Sequence, residues 1–342
     1  MKRLIFLFLL TVTLASARVG FAQAQLDSLV TCFAADAIYE PIWPTKIFPV
    51  SGKQMVCIFR LGEDESFTNL TSKWIAVDVG DAAPANTLIV ESDLDLQGQK
   101  TGMLRYSQPG ALPVGKYRLD VLADSKPWKS IDFEVASDPQ PLPIAKPDDL
   151  LPLTEGQTWT YEFVQEPGPG AKLSAAGEKP DPDGKLRAIV TIAVGKTDEL
   201  GTEIVLKRNG KAMIREWWKL DADGLVAIQR KTDTEVLRLD PPQPLLPLTS
   251  DTYYSWSYAP NDRSFSQTGQ LWTSLQISSP AGERPGFLTV IEQPTSLGKV
   301  TVERRFIPGL GMVHETVISS LGPKLLTRQT MTLVAPPPKK VD

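Results

Sequence analysis

The sequence predicts an all-β fold: an immunoglobulin-like sandwich followed by a repeated, half-barrel-like antiparallel β domain. Three observations carry that reading. Apolar and polar residues alternate with period two from about Gln54 to Leu333. Gly, Pro, Asn and Asp turn signals punctuate the alternating runs. Stretches with the 3.6-residue period of a helix are scarce. A chain of 342 residues also exceeds the usual size of one domain, so two bodies are expected.

Met1 to Ala24 reads as an export signal. Lys2 and Arg3 form a charged start, Leu4 to Leu14 is an apolar run too short for a stable bilayer anchor, and Ala22-Gln23-Ala24 is a small-x-small cleavage pattern. Ala15-Ser16-Ala17 is the competing cleavage site. The mature chain is therefore expected outside the cytoplasm, in the periplasm or beyond, without a transmembrane anchor.

Residues 25–136 form the expected sandwich. Candidate strands cover Met55 to Leu61, Lys73 to Val79, Thr87 to Glu91 and Gly102 to Ser107. From Gly115, Tyr117, Leu119 and Val121 share one face of a strand, and after a turn at Asp124 to Pro127, Ile131, Phe133 and Val135 share one face of the next. Cys32 and Cys57 are the only cysteines, and the export compartment permits disulfides, so a bridge between them is expected; two buried thiols are the alternative. Thr31 is a poor neighbour for a lipid-anchored Cys32, which argues against that modification.

Pro139, Pro141, Pro143 and Pro147 mark residues 137–149 as an extended linker. The second domain, 150–334, carries an internal repeat. Leu150-Leu151-Pro152-Leu153-Thr154 leads into Trp159-Thr160-Tyr161, and Leu245-Leu246-Pro247-Leu248-Thr249 leads into Trp256-Ser257-Tyr258. That divides the domain into 150–244 and 245–334. Glu166 to Lys185, rich in Pro, Gly and charge, reads as a solvated insertion in the first repeat, and residues 335–342 as a disordered tail.

Composition excludes several function classes. The chain has 36 basic and 40 acidic residues, and the leader removes Lys2, Arg3 and Arg18, so a nucleic-acid partner is not expected. His314 is the only histidine; it alternates with apolar neighbours, as an ordinary strand residue does. That count argues against a His-rich zinc site, and no Gly-x-Ser-x-Gly elbow exists to present a catalytic serine. Asp181-x-Asp183-Gly184 and Asp221-x-Asp223-Gly224 resemble calcium-loop fragments but lack the distal acids, so turn chemistry is the better reading. No cofactor is implied. Glu40, Asp78, Glu216 and Glu315 are strand acids from which a carboxylate hydrolase could be built, but sequence places no two of them together. Trp217 and Trp218, adjacent in a strand, must face opposite sides of a sheet, and with Trp272 they are candidate ligand or partner contacts, weighed against core packing.

Pro152-Leu153-Thr154-Glu155-Gly156-Gln157-Thr158-Trp159-Thr160-Tyr161, taken with Arg305-Phe306-Ile307-Pro308-Gly309-Leu310-Gly311-Met312-Val313, resembles a widespread group of uncharacterised exported bacterial proteins. Their β-rich domains open with a Leu-x-x-Gly-x-x-Trp-x-Tyr strand and close on a Tyr/Phe-x-Pro-Gly-Val/Leu-Gly-hydrophobic-Val strand. Their Val-Pro-Ala-Gly-x-Phe segment is lengthened here between Ser279 and Phe287. The resemblance implies a sheet curled around an apolar cavity. The expected function is a non-catalytic exported binding or structural module of the bacterial cell envelope, its partner an envelope protein, glycan or lipid. A carrier or sensor of an apolar ligand in the curved sheet is the alternative, and a carboxylate-based hydrolase the third reading.

Overall fold

A computed structural model describes residues 28–108, 110–140, 142, 151–173, 179–221, 223–296 and 298–335. The expected leader 1–24, most of the linker, the centre of the 166–185 insertion and residues 336–342 of the tail lie outside the described residues. The fold is all β. Among the described residues the only helical element is a single 3₁₀ turn at Gly80–Ala82, and no helix is long and apolar enough to cross a membrane.

The first body is a pair of sheets. One holds β1 (Leu29–Ala35), β2 (Pro41–Pro44), β4 (Gln54–Arg60) and β7 (Thr101–Ser107), in the order β2-β1-β4-β7. The other holds β3 (Ile47–Pro49), β5 (Asn69–Asp78), β6 (Thr87–Asp95), β8 (Gly115–Ala123) and β9 (Lys126–Ala136), in the order β3-β9-β8-β5-β6. Tyr117, Leu119, Val121 and Ala123 of β8 are buried while the residues between them are not, as alternation requires. They share a core with Trp74, Phe133, Met55 and Phe59, each such side chain contributing about 1.5–3 kcal/mol on burial. Tyr117 Oη donates to the carbonyl of Pro113 at 2.6 Å, which satisfies the one polar atom this ring buries.

The expected disulfide is not formed: Cys32 and Cys57 are both free and buried. Strands β1 and β4 pair with Cys32 opposite Val56 and Thr31 opposite Cys57, so the two cysteines are near neighbours in the ladder. They are one position out of step, however, and side chains one position apart point to opposite faces. Cys32 packs beside Val56 and Ile58, and Cys57 beside Met55 and Phe59. The sheet itself separates the sulfurs. Burial pushes the Cys32 thiol up to about 12 and Cys57 further still, so neither supplies a reactive thiolate. The native protein should therefore show no thiol accessible to an aromatic disulfide reagent, and two once it is unfolded in guanidinium without reductant. Recovery of none after unfolding would mean that the bridge exists.

The second body is one sheet of twelve strands. They are β10 (Thr158–Pro167), β11 (Leu186–Asp198), β12 (Gly201–Arg208), β13 (Lys211–Asp221), β14 (Gly224–Lys231), β15 (Val236–Pro247), β16 (Tyr253–Tyr258), β17 (Gln267–Ser279), β18 (Gly282–Thr295), β19 (Gly298–Ile307), β20 (Gly311–Leu321) and β21 (Lys324–Ala335). The order is β15-β14-β13-β12-β11-β10-β21-β20-β19-β18-β17-β16. Six consecutive strands run outward from β10, six return from β16, and β21 pairs with β10 to join the halves. The second Leu-Leu-Pro-Leu-Thr copy ends β15 at Pro247 and precedes β16.

The two edges meet. Tyr258 Oη donates to the carbonyl of Pro241 at 2.8 Å, Gln243 Nε2 to Gln267 Oε1 at 2.9 Å, and the Asn261 N–H to the carbonyl of Asp240 at 2.7 Å. The sheet is thus curled to a seam between β15 and β16, a barrel-like body rather than an open half. Register shifts in most of its ladders, among them Val194/Thr197 and Trp272/Leu275, supply the local bending.

The bodies share apolar contact. Phe33 of β1 stacks on Trp272 of β17 with centroids 5.4 Å apart and planes 4° from parallel, and Leu288 and Val290 of β18 join the sandwich core. Gln54 Nε2 donates to Gln270 Oε1 at 3.1 Å, and Ser320 Oγ to the carbonyl of Ala37 at 3.1 Å. Beside this contact Asp36 is buried, its Oδ1 accepting the N–H groups of Ile38 and Glu40 at 2.8 Å each. Burial pushes its carboxyl up to about 6. A raised folded-state value means that its contribution to stability is present below the ordinary carboxyl range and lost as pH rises through about 6. Asp36→Asn keeps the Oδ1 acceptor and removes the buried charge. It should raise stability at pH 7 by about 2 kcal/mol and give no gain at pH 3.5, read from urea melts at both pH values.

Candidate functional site

The site grows from two sequence signals that meet in space. Trp159 and Tyr161, two apart on β10, point into the barrel. Trp159 Nε1 donates to the carbonyl of Leu310 at 2.7 Å, and Tyr161 Oη to the carbonyl of Met312 at 2.8 Å. Both acceptors flank Gly311, whose φ of 89° suits glycine; a Cβ there would lie 2.7 Å from Leu151 Cδ1 and 3.2 Å from Trp159 Nε1. The opening strand and the closing Pro-Gly-Leu-Gly turn are therefore parts of one joint, and the joint holds two aromatic rings in the barrel wall.

Inside lies a cavity of about 260 Å³, whose apolar wall includes Trp159, Tyr161, Ile192, Ile204, Trp218 and Phe306. A cavity of roughly 150 Å³ already admits benzene, so this one is large enough for a small organic molecule. Four charged residues interrupt the wall: Glu216 of β13, Arg230 of β14, Arg304 of β19 and Glu315 of β20. Arg230 Nε donates to Glu216 Oε1 at 2.6 Å, and Trp218 Nε1 donates to Glu216 Oε2 at 2.7 Å. Arg304 Nε donates to Glu315 Oε2 at 2.6 Å. Each guanidinium uses Nε for its pair and carries four more N–H donors on its Nη atoms.

The expected contact residues separate. Trp218 lines the cavity. Trp217, one position away, faces the other side of β13 and is half-buried. Trp272 is 2% exposed, spent on Phe33 and Tyr253 where the bodies meet. Of the four strand acids named from sequence, Glu216 and Glu315 come to one cavity, while Glu40 pairs with Arg60 at 2.7 Å and Asp78 accepts the Gly80 N–H at 3.3 Å. Sequence reasoning missed Arg230 and Arg304, although Arg304 sits on the face of β19 that Phe306 marks as inward.

His314 lies on the other face of β20, its Nε2 2.9 Å from Thr316 Oγ1 and its Nδ1 3.3 Å from Thr332 Oγ1. Burial, helped by Arg305, pushes it down to about 4, so the ring is neutral at pH 7. Asp181 and Asp183 both bind Arg187, each at 2.6 Å, which occupies the carboxylates of the calcium-like fragment. Among the described residues no three His, Cys, Asp or Glu side chains gather as metal ligands.

No family model matches this chain, and no curated protein does. Among the solved structures similar to it, two cover about half of its length. One is a candidate exported protein of YmcC-like fold from Bacteroides fragilis NCTC 9343, 12% identical, covering 56% of this chain and 99% of its own, with a TM-score of 0.25. The other is a candidate lipoprotein from Parabacteroides distasonis ATCC 8503, 12% identical, covering 53% of this chain and 96% of its own, with a TM-score of 0.22. At these scores neither likeness carries an argument about function.

Proposed function

We propose that this chain is an exported, non-catalytic binding module whose barrel cavity holds a small ligand with an apolar body. The observation that carries the reading is the cavity of about 260 Å³ walled by Trp159, Tyr161 and Trp218 and fitted with a few fixed polar groups, the composition of a small-molecule site. Export rests on the charged, apolar and small-x-small segments of residues 1–24. The sandwich is read as an immunoglobulin-like accessory body, with the Tyr117 to Pro113 bond resembling the tyrosine corner of such folds. A carboxylate hydrolase is the weaker reading: the two cavity acids are each paired with an arginine, Glu216 with Arg230 and Glu315 with Arg304, and Glu216 also accepts the Trp218 N–H, an arrangement that fixes both carboxylates as ion-pair partners.

The test is native mass spectrometry of the chain from residue 25, purified from its host's envelope, beside an Ile192→Phe/Ile204→Phe variant that fills the cavity. A bound small molecule is expected on the parent and not on the folded variant. An unoccupied parent whose tryptophan emission also ignores added propylbenzene would overturn the reading.

A further inference from the structure

The two cavity ion pairs occupy equivalent strands of the two six-strand halves with acid and base exchanged. In the first half Glu216 is on β13 and Arg230 on β14; in the second Arg304 is on β19 and Glu315 on β20. Following the sheet order, Glu216 and Glu315 flank β12, β11, β10 and β21, whereas Arg230 and Arg304 flank β15, β16, β17 and β18, the strands around the seam. Had the second half repeated the first, a two-fold rotation would set the two acid-to-base dipoles in opposite directions, and their fields would cancel across the cavity. Exchange of acid and base makes them parallel, and the fields add. One side of the cavity is negative and the seam side positive.

We propose that the cavity selects a small, net-neutral dipolar molecule, a zwitterion carrying an apolar group, with its negative end toward Arg230 and Arg304 and its positive end toward Glu216 and Glu315. This rests on the cavity being a ligand site. The charge balance points the same way. Two guanidiniums against two carboxylates leave no net charge, so an ion of either sign would be desolvated without a counter-charge, while a zwitterion meets both signs and adds none. Thr289 on β18 lies directly opposite Arg304 in the ladder, on the same face of the sheet, and its hydroxyl is buried without a hydrogen-bond partner, which leaves an unmade donor beside the positive side of the cavity.

The experiment is calorimetric titration of the chain from residue 25 with four probes that share a phenyl ring and similar size: phenylalanine, 3-phenylpropionate, 2-phenylethylamine and propylbenzene. Phenylalanine should bind at least about tenfold tighter than the other three, the increment of one charge-assisted hydrogen bond. The Glu216→Arg/Arg230→Glu variant keeps both charges and their contact but reverses one dipole. It should bring phenylalanine down to the affinity of propylbenzene and leave propylbenzene unchanged. If that variant does not fold, Glu216→Gln/Arg230→Gln removes one dipole and should cost phenylalanine about threefold, half the increment on a logarithmic scale. Equal affinities for phenylalanine and propylbenzene in the parent, or a preference that survives both variants, overturn the dipolar inference and leave the cavity reading in place. Binding of none of the four overturns both.

Discussion

Trp272→Ala is expected to cost about 3–5 kcal/mol and to split unfolding into two steps. The ring is 2% exposed, stacks on Phe33 from the other body and tilts against Tyr253 at 5.4 Å. Truncation leaves a void bordered by Leu288 and Val290, and by a Phe33 ring that loses its stacking partner. The polar ties that remain, among them Gln54 to Gln270, Ser320 to Ala37 and the Arg305 guanidinium over the Trp43 ring at 5.5 Å, are worth about 1 kcal/mol each, too little to keep two large sheets cooperative. Urea melts followed by tryptophan fluorescence and by far-ultraviolet dichroism should coincide for the parent and separate for the variant. A cycle with Phe33→Leu should give a coupling of about 0.5–1.5 kcal/mol for the stacked pair. A single transition shifted by less than about 1 kcal/mol would mean that the bodies are held together by something else.

How much of this was legible in the sequence depends on parity. Period-two alternation identifies a strand and its dry face, which is why the sequence alone puts Tyr117, Leu119 and Val121 on one face, the face that the sheet buries. It fails for β1, Leu-Val-Thr-Cys-Phe-Ala-Ala, which is buried at six of its seven positions and shows no alternation to read. Phe33 there meets both Phe48 in the sandwich and Trp272 in the barrel. The disulfide expectation failed for a related reason. Loop length and compartment favour a bridge, but the faces of Cys32 and Cys57 follow from the register of β1 on β4, which no single strand encodes.

The cavity was half legible. The Gly-x-x-Trp-x-Tyr and Pro-Gly-x-Gly segments were visible as strand and turn signals, and the structure joins them through Trp159 to Leu310 and Tyr161 to Met312. The ion pairs were not visible, because acids and bases are common on strands and only neighbouring registers bring Glu216 to Arg230 and Arg304 to Glu315. Glu216↔Arg230 and Arg304↔Glu315 are direct cross-strand partners, but a register shift lies between each pair and its hairpin turn, so alignment on the turns alone sets Glu216 opposite Gln229 and Arg304 opposite His314.

Arg304→Met should destabilise the barrel by about 2–4 kcal/mol, while Arg304→Met/Glu315→Leu should lie within about 1 kcal/mol of the parent. The single change leaves Glu315, its side chain 12% exposed, without its guanidinium in an apolar wall. The expected cost sits at or below the usual range for a buried pair because Arg304 is itself 23% exposed and water reaches part of the site. The double change removes both charges and fills their places with side chains that suit Phe306 and Met331, so desolvation and attraction disappear together. Urea melts of the four proteins in the cycle measure both numbers. Near-neutrality of the double variant would mean that folding does not require the pair, which leaves it, with Glu216 and Arg230 on the facing strands, free to serve recognition. A double variant as unstable as the single one would instead make the pair a structural clamp and remove that support from the proposed ligand chemistry.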